Sequence, residues 1–443
     1  MVEISTSELT EDEAELYDRQ IRLWGLESQR RLRGARILLI GIQGFGAEIC
    51  KNIVLSGVKS VTILDDGVVS EEDGCSQFLA PRDQIGKNRA EASLSRAQQL
   101  NPMVKVSADS GSLSDKPDTF FVDFDVICAT ECTVEQLTHI NQICREKDIK
   151  FFCGDVFGMF GYTFADLQIH EFAEEVTVYK TPDLSDSGEP VAKKSKVDPV
   201  KTTTKRTVTF VPLQDALDVE WNSEPYAKRL PKMDPSYFLM RVLLKFRSKH
   251  GRDPSPKKRA EDLKELGQVR DELLSKLEVP LDKVPDNLFG NVFAEVSPTC
   301  AIVGGVMAQE IIKAVSQKEA PHNNMFFFNP TRNLGFVDCI VLTINLINSR
   351  FGSHKIEKEA LLLKHLEKPL ELTIWEKIYI QENKFRSMNF EIPDERDLIL
   401  KFIKSTPDGN IIDGDSNENP VVIMSVENER DPSRKLVPVF EET

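Results

Sequence analysis

Three glycines fall within six residues, Gly41, Gly44 and Gly46, separated by Ile42, Gln43 and Phe45. An apolar run, Ile37-Leu38-Leu39-Ile40, precedes them, and a helix-forming stretch, Ala47 to Leu55, follows. Glycine lets a backbone turn sharply and approach an anion, and the first N–H groups of a helix lack intrahelical partners. Strand, glycine loop and helix in that order form a cradle for a nucleotide's phosphates. Asp65 ends the next apolar run, about twenty residues past the loop, where a carboxylate takes ribose hydroxyls. The alternative is that Asp65-Asp66-Gly67 is simply a turn. The spacing Gly-x-x-Gly-x-Gly departs from the Gly-x-Gly-x-x-Gly of dinucleotide loops, which counts against hydride transfer.

The elements that must position this loop follow from the apolar pattern. Ile37–Ile40, Val61–Leu64, Val104–Ser107 and Val126–Ala129 predict strands, and Phe151-Phe152 starts another. Asn88–Leu100 and Val134–Arg145 have helical spacing. Such alternation predicts an α/β fold, a Rossmann-like doubly wound and mostly parallel sheet covered on both faces. Gly161–Leu167 and Arg206–Val211 alternate less cleanly. Tyr237–Phe246 and Glu261–Leu277 predict amphipathic helices of an inserted helical region. Pro298 precedes a long apolar helix, Ala301–Val315, whose Gly304-Gly305 pair would allow close packing. The expected division is residues 1–175 and 291–340 for the nucleotide-type domain and 176–205 for a disordered polar loop. Residues 206–290 would be an inserted strand and helical region, and 341–443 a C-terminal extension of unknown nature.

Composition narrows the function classes. A net charge of -15 over 443 residues argues against a nucleic-acid binder, which needs a basic face. The apolar stretch near Cys300–Val315 contains Glu310 and Lys313, which argues against a membrane span. Met1 to Glu15 is acidic and polar, unlike a secretory leader. The eight cysteines form no Cys-x-x-Cys pair, which fits reduced thiols in a nuclear or cytosolic compartment.

Upstream of the loop lies Tyr17-Asp18-Arg19-Gln20-Ile21-Arg22-Leu23-Trp24-Gly25. With Gln77-Phe78-Leu79 and Gly86-Lys87-Asn88-Arg89-Ala90, it resembles the ThiF-like family of ubiquitin-like-modifier activating enzymes. Gly154-Asp155-Val156-Phe157-Gly158, Gly161-Tyr162-Thr163-Phe164-Ala165 and Pro321–Phe328 narrow the likeness to the smaller subunits of SUMO-activating enzymes. The likeness covers roughly residues 12–340. It implies a heterodimer whose larger catalytic subunit binds ATP and magnesium, adenylates SUMO and captures it on a cysteine, before a SUMO-conjugating enzyme takes it on. It also implies a nuclear location, with the cytoplasm left open.

The family's active site carries a Gly-x-Gly-Gly-x-Gly loop, an Asn-x-x-Arg-Gln-Phe stretch, a Lys in Gly-x-x-Lys-Ala and an Asp after the fourth strand. Here Gln43, Asp73, Ser76 and Arg89 replace the loop glycine, Asn, Arg and Lys, and Glu131 is a partial substitute for the Asp. Losing two or more charge-assisted contacts costs on the order of 10²-fold in affinity. The expectation is a degenerate, empty site at Gly41, Gly44, Gly46 and Asp65, with no cofactor held tightly and no metal. In the family, the arginine of Tyr-x-Arg-Gln reaches the partner's ATP, so the likeness gives Arg19 that role, while Arg22 is a solvated charge. Cys132, in Glu131-Cys132-Thr133, follows a sheet strand, is flanked by an acid and reads as structural. Lys193, Lys194 and Lys196 in the polar loop predict a nuclear import signal, the plain alternative being a solvated linker. Two other readings stay open: a self-sufficient ThiF-like adenylyltransferase, and the regulatory subunit of an enzyme for another modifier.

Overall fold

The computed structural model describes residues 10–179, 199–223, 226–330 and 334–341. Its ten strands are β1 (Arg36–Ile40), β2 (Ser60–Leu64), β3 (Lys105–Asp109), β4 (Val126–Ala129), β5 (Lys150–Phe157), β6 (Phe160–Asp166), β7 (Ile169–Tyr179), β8 (Pro199–Thr209), β9 (Met325–Asn329) and β10 (Leu334–Asp338). Eight of them form one sheet in the order β10-β9-β6-β5-β4-β1-β2-β3. The run from β3 to β5 is parallel, and β6, β9 and β10 add antiparallel pairs. The Rossmann-like expectation therefore holds, with an antiparallel wing that the apolar pattern did not reveal.

β1 explains why the loop sits where it does. Ile37 and Leu39 enter one hydrophobic cluster, with Phe45, Ile49, Ile53, Met307 and Ile311. Leu38 and Ile40 enter the other, with Ile127, Leu137, Phe238, Leu243 and Trp221. A strand buried on both faces reads as a continuous apolar run, as Ile37–Ile40 does. Ile40 is in register with Leu64 on one side and Ala129 on the other. The next residues, Gly41, Asp65 and Thr130, therefore emerge together at the carboxyl edge of the sheet, where open α/β sheets hold ligands.

Two helices flank that edge. Gly44–Leu55 starts in the loop, and Ser297–Ser316 packs along it. By length and composition Ser297–Ser316 could cross a membrane, but 67% of its apolar window is buried in the domain, which makes it a core helix here. The two glycines singled out in the sequence differ. A Cβ on Gly304 would lie 2.7 Å from Glu48 Cβ, whereas one on Gly305 would meet nothing within 4 Å.

Two boundaries need correction. Residues 176–179 and 199–205, expected within a disordered polar loop at 176–205, belong instead to β7 and β8, an antiparallel ribbon that pairs Tyr179 with Pro199, and residues 180–198 lie outside the described residues. The β-branched run Thr202-Thr203-Thr204 favours an extended chain over the disorder its polarity suggests. Lys193, Lys194 and Lys196 lie outside the described residues, as does the extension beyond Val341. The inserted helices are Ser236–His250 and Arg259–Lys276.

Gly304→Val should destabilise the chain by about 1–3 kcal/mol through overpacking. Gly305→Ala should stabilise it by about 0.5–1 kcal/mol through helix propensity. Urea unfolding of the two variants checks the contrast.

Candidate functional site

The loop keeps the backbone of a phosphate cradle. Gly41 has φ +83°, a conformation suited to glycine, and a Cβ on Gly46 would lie 2.2 Å from the Gly41 carbonyl oxygen. The loop's N–H groups, however, are already taken. Ile42 N–H donates to Asp65 Oδ2 at 2.9 Å, and Gln43 N–H to Glu131 Oε1 at 3.0 Å. Gly44 N–H donates to Glu295 Oε2 at 2.6 Å, and Phe45 N–H to Glu295 Oε1 at 3.3 Å. Four consecutive N–H groups thus end on three carboxylates of the same chain.

One guanidinium balances much of this charge. Arg89 is buried and donates to Asp73 Oδ1 at 3.0 Å and to Asp65 Oδ2 at 3.0 Å, with Glu131 Oε2 at 3.8 Å. Burial disfavours its charge, but Glu131, Asp65 and Asp73 outweigh that and push its pKa up. Burial and then Asp65 push the Glu131 carboxyl well up, against the pull of Arg89. Burial likewise pushes Glu295 up to about 7, although the Phe45 and Gly44 amides and the Ser76 hydroxyl pull it down.

These contacts refine the sequence expectations. Asp65 serves the loop, the Gly67 N–H and Arg89, so its carboxylate is already committed. Asp73, which stands in place of the family's Asn, is bound to Arg89 and to Ser70. Gln43 occupies the position before the helix and makes no side-chain capping bond, so the occupants of the cradle are the carboxylates at the loop's N–H groups. Ser76 stands beside Gly44, where a Cβ would lie 2.2 Å from its Oγ, and donates to Glu295 Oε2 at 3.1 Å. Glu295 was missed altogether. Its only signal in the sequence is an acid two residues before a helix start, some 250 positions from the loop.

Arg19 sits elsewhere. It lies on the short helix Asp18–Trp24, exposed, and makes no ion pair among the described residues. Arg22 pairs with Asp18 at 3.0 Å on the surface, as expected for a solvated charge. Tyr17 is buried over Gly57 and accepts a bond from Asn101 Nδ2 at 2.9 Å, while Gln20 Nε2 donates to the Leu55 carbonyl. These contacts hold the segment against the C-terminal end of helix Gly44–Leu55. That helix spans roughly 17 Å at 1.5 Å per residue, so Arg19 is anchored far from its own chain's loop. Cys132 is buried, donates to the Thr130 carbonyl at 3.2 Å, and has its thiol pKa raised, first by burial and then by Asp155. It is poorly suited to nucleophilic attack.

A parallel sheet with a glycine loop at its carboxyl edge defines a nucleotide-type fold, here with the loop's donors satisfied internally. The chain belongs to the ThiF family, whose model matches residues 17–340. It is similar to SUMO-activating enzyme subunit 1 of Xenopus laevis, 50% identical over 342 residues, covering 77% of this chain and 99% of that one. The human SUMO-activating enzyme subunit 1 is 48% identical over 334 residues, with 75% and 96% covered. A crystal structure of E. coli MccB with succinimide aligns with a TM-score of 0.42 and 12% identity over 73% of this chain and 71% of its own, too distant to bear on function.

Arg89→Ala would leave Asp65 and Asp73 buried without their cation, and should cost on the order of 3–5 kcal/mol in urea unfolding. Arg89→Lys should fall between, because a point charge cannot reproduce the fork that bridges both carboxylates.

Proposed function

We propose that this chain is the non-catalytic subunit of a heterodimeric SUMO-activating enzyme. It supports ATP-dependent adenylation of SUMO, and thioester transfer to a cysteine, both carried out by the larger subunit. ATP and magnesium are held by that partner, and this chain alone is inactive. The observation that carries the reading is the division of the site: the cradle's N–H groups are occupied by the chain's own carboxylates, while Arg19 is exposed at the far end of the loop helix. The names of the relatives support SUMO as the modifier.

In this reading Arg19 acts on a nucleotide in the partner. Its guanidinium remains charged and grips phosphate oxygens with a planar fork, and a cation placed where negative charge gathers lowers the barrier to adenylation. The packing of Tyr17 and Gln20 fixes the backbone from which Arg19 extends. SUMO leaves the complex to a SUMO-conjugating enzyme, and the basic residues Lys193, Lys194 and Lys196 direct the chain to the nucleus. A self-sufficient adenylyltransferase is less well supported, since an incoming triphosphate would meet Glu131 and Glu295 at the donors it needs.

Arg19→Ala should lower ATP–pyrophosphate exchange by the reconstituted heterodimer on the order of 10²-fold, with co-elution of the subunits unchanged. A wild-type exchange rate in that variant would refute the role.

A further inference from the structure

We propose that Glu295 is a built-in anion that latches the remnant loop shut, its carboxylate standing in for a nucleotide phosphate at the start of helix Gly44–Leu55. The inference rests on reading Gly41–Gly46 as a former nucleotide site, and goes beyond it by naming what fills the cradle.

The geometry is that of an anion in a nest of N–H groups. The two oxygens of one carboxylate accept from two successive amides, Gly44 at 2.6 Å and Phe45 at 3.3 Å. Ser76 adds a hydroxyl donor at 3.1 Å. A Cβ on Gly44 would lie 2.7 Å from Glu295 Oε2, so the glycine that once admitted a phosphate now admits a side chain.

The backbone delivering Glu295 is clamped by the turn between β5 and β6. Gly158 N–H donates to the Ala294 carbonyl at 2.5 Å, and Met159 N–H to the Asn291 carbonyl at 2.8 Å. Gly158 has φ +57°, and a Cβ there would lie 2.1 Å from the Asn291 carbonyl oxygen. The Gly154–Gly158 segment singled out in the sequence thus gains a purpose, because Gly158 bridges to Glu295 and seats the segment that carries the latch. A carboxylate tethered in this way competes with any free phosphate at a high effective concentration. Glu295 also lies just before helix Ser297–Ser316, so the latch joins that helix to the loop it packs beside.

The test compares full-length wild type, Glu295→Gln and Glu295→Ala at a pH above the value of about 7 to which burial pushes Glu295, so that its carboxyl is charged, with inorganic phosphate as the probe. In Glu295→Gln, whose shape is conserved, hydrogen exchange of the 41–47 amides should quicken on the order of 10-fold, as expected for losing a charge-assisted contact. In Glu295→Ala the melting temperature should fall, and phosphate should raise it again in a saturable way that wild type does not show. Equal exchange in wild type and Glu295→Gln, or equal phosphate stabilisation of wild type and Glu295→Ala, would overturn the latch. Neither readout involves adenylation, so failure of the latch is distinguishable from failure of Arg19's role.

Discussion

The start of helix Gly44–Leu55 exposes backbone donors that no helix can satisfy from within, and the rest of the site is arranged around that deficit. In a working nucleotide loop an anion from outside supplies the acceptors. Here three carboxylates supply them, from three separate elements: Asp65 after β2, Glu131 after β4, and Glu295 before helix Ser297–Ser316. Arg89 makes the arrangement tolerable by placing a buried cation among Asp65, Asp73 and Glu131. The same deficit ties distant parts of the chain to one edge of the sheet.

This internal solution separates fold from chemistry. The glycines retain the turn and the close approach of helix to strand, so the sheet edge is preserved. The polar side chains beside the loop are committed within the chain: Ser76 serves Glu295, and Arg89 serves neighbouring carboxylates. Meanwhile the Tyr17–Gly25 segment is fastened to the opposite end of the loop helix and leaves Arg19 facing outward. A nucleotide-type fold can in this way keep its architecture while its own side chains satisfy the loop's donors.

Much of this was legible in the sequence because it depends on local pattern. Continuous apolar runs marked β1, β2 and β4, and three glycines marked the loop. The antiparallel wing was less legible, since Met325–Asn329 and Leu334–Asp338 pair antiparallel with each other, outside the strand–helix alternation that marks the parallel part of the sheet. The ribbon of β7 and β8 was hidden by its threonines and charges, which read as linker although they pair across two strands. Glu295 could not be found from pattern at all: an acid brought to the loop by tertiary contact, with no periodicity around it, carries no local signature. Asp73 was legible as a substitution but not in its consequence, because its pairing with Arg89, sixteen residues on, is made by tertiary contact rather than by local pattern.

The central claim is that this chain keeps the nucleotide fold while its own carboxylates occupy the nucleotide's place. Isothermal titration of the full-length chain with ATP and magnesium, in the absence of any partner, tests it most directly. The account predicts no saturable heat of binding in the micromolar range. A stoichiometric site of micromolar affinity on the chain alone would contradict it.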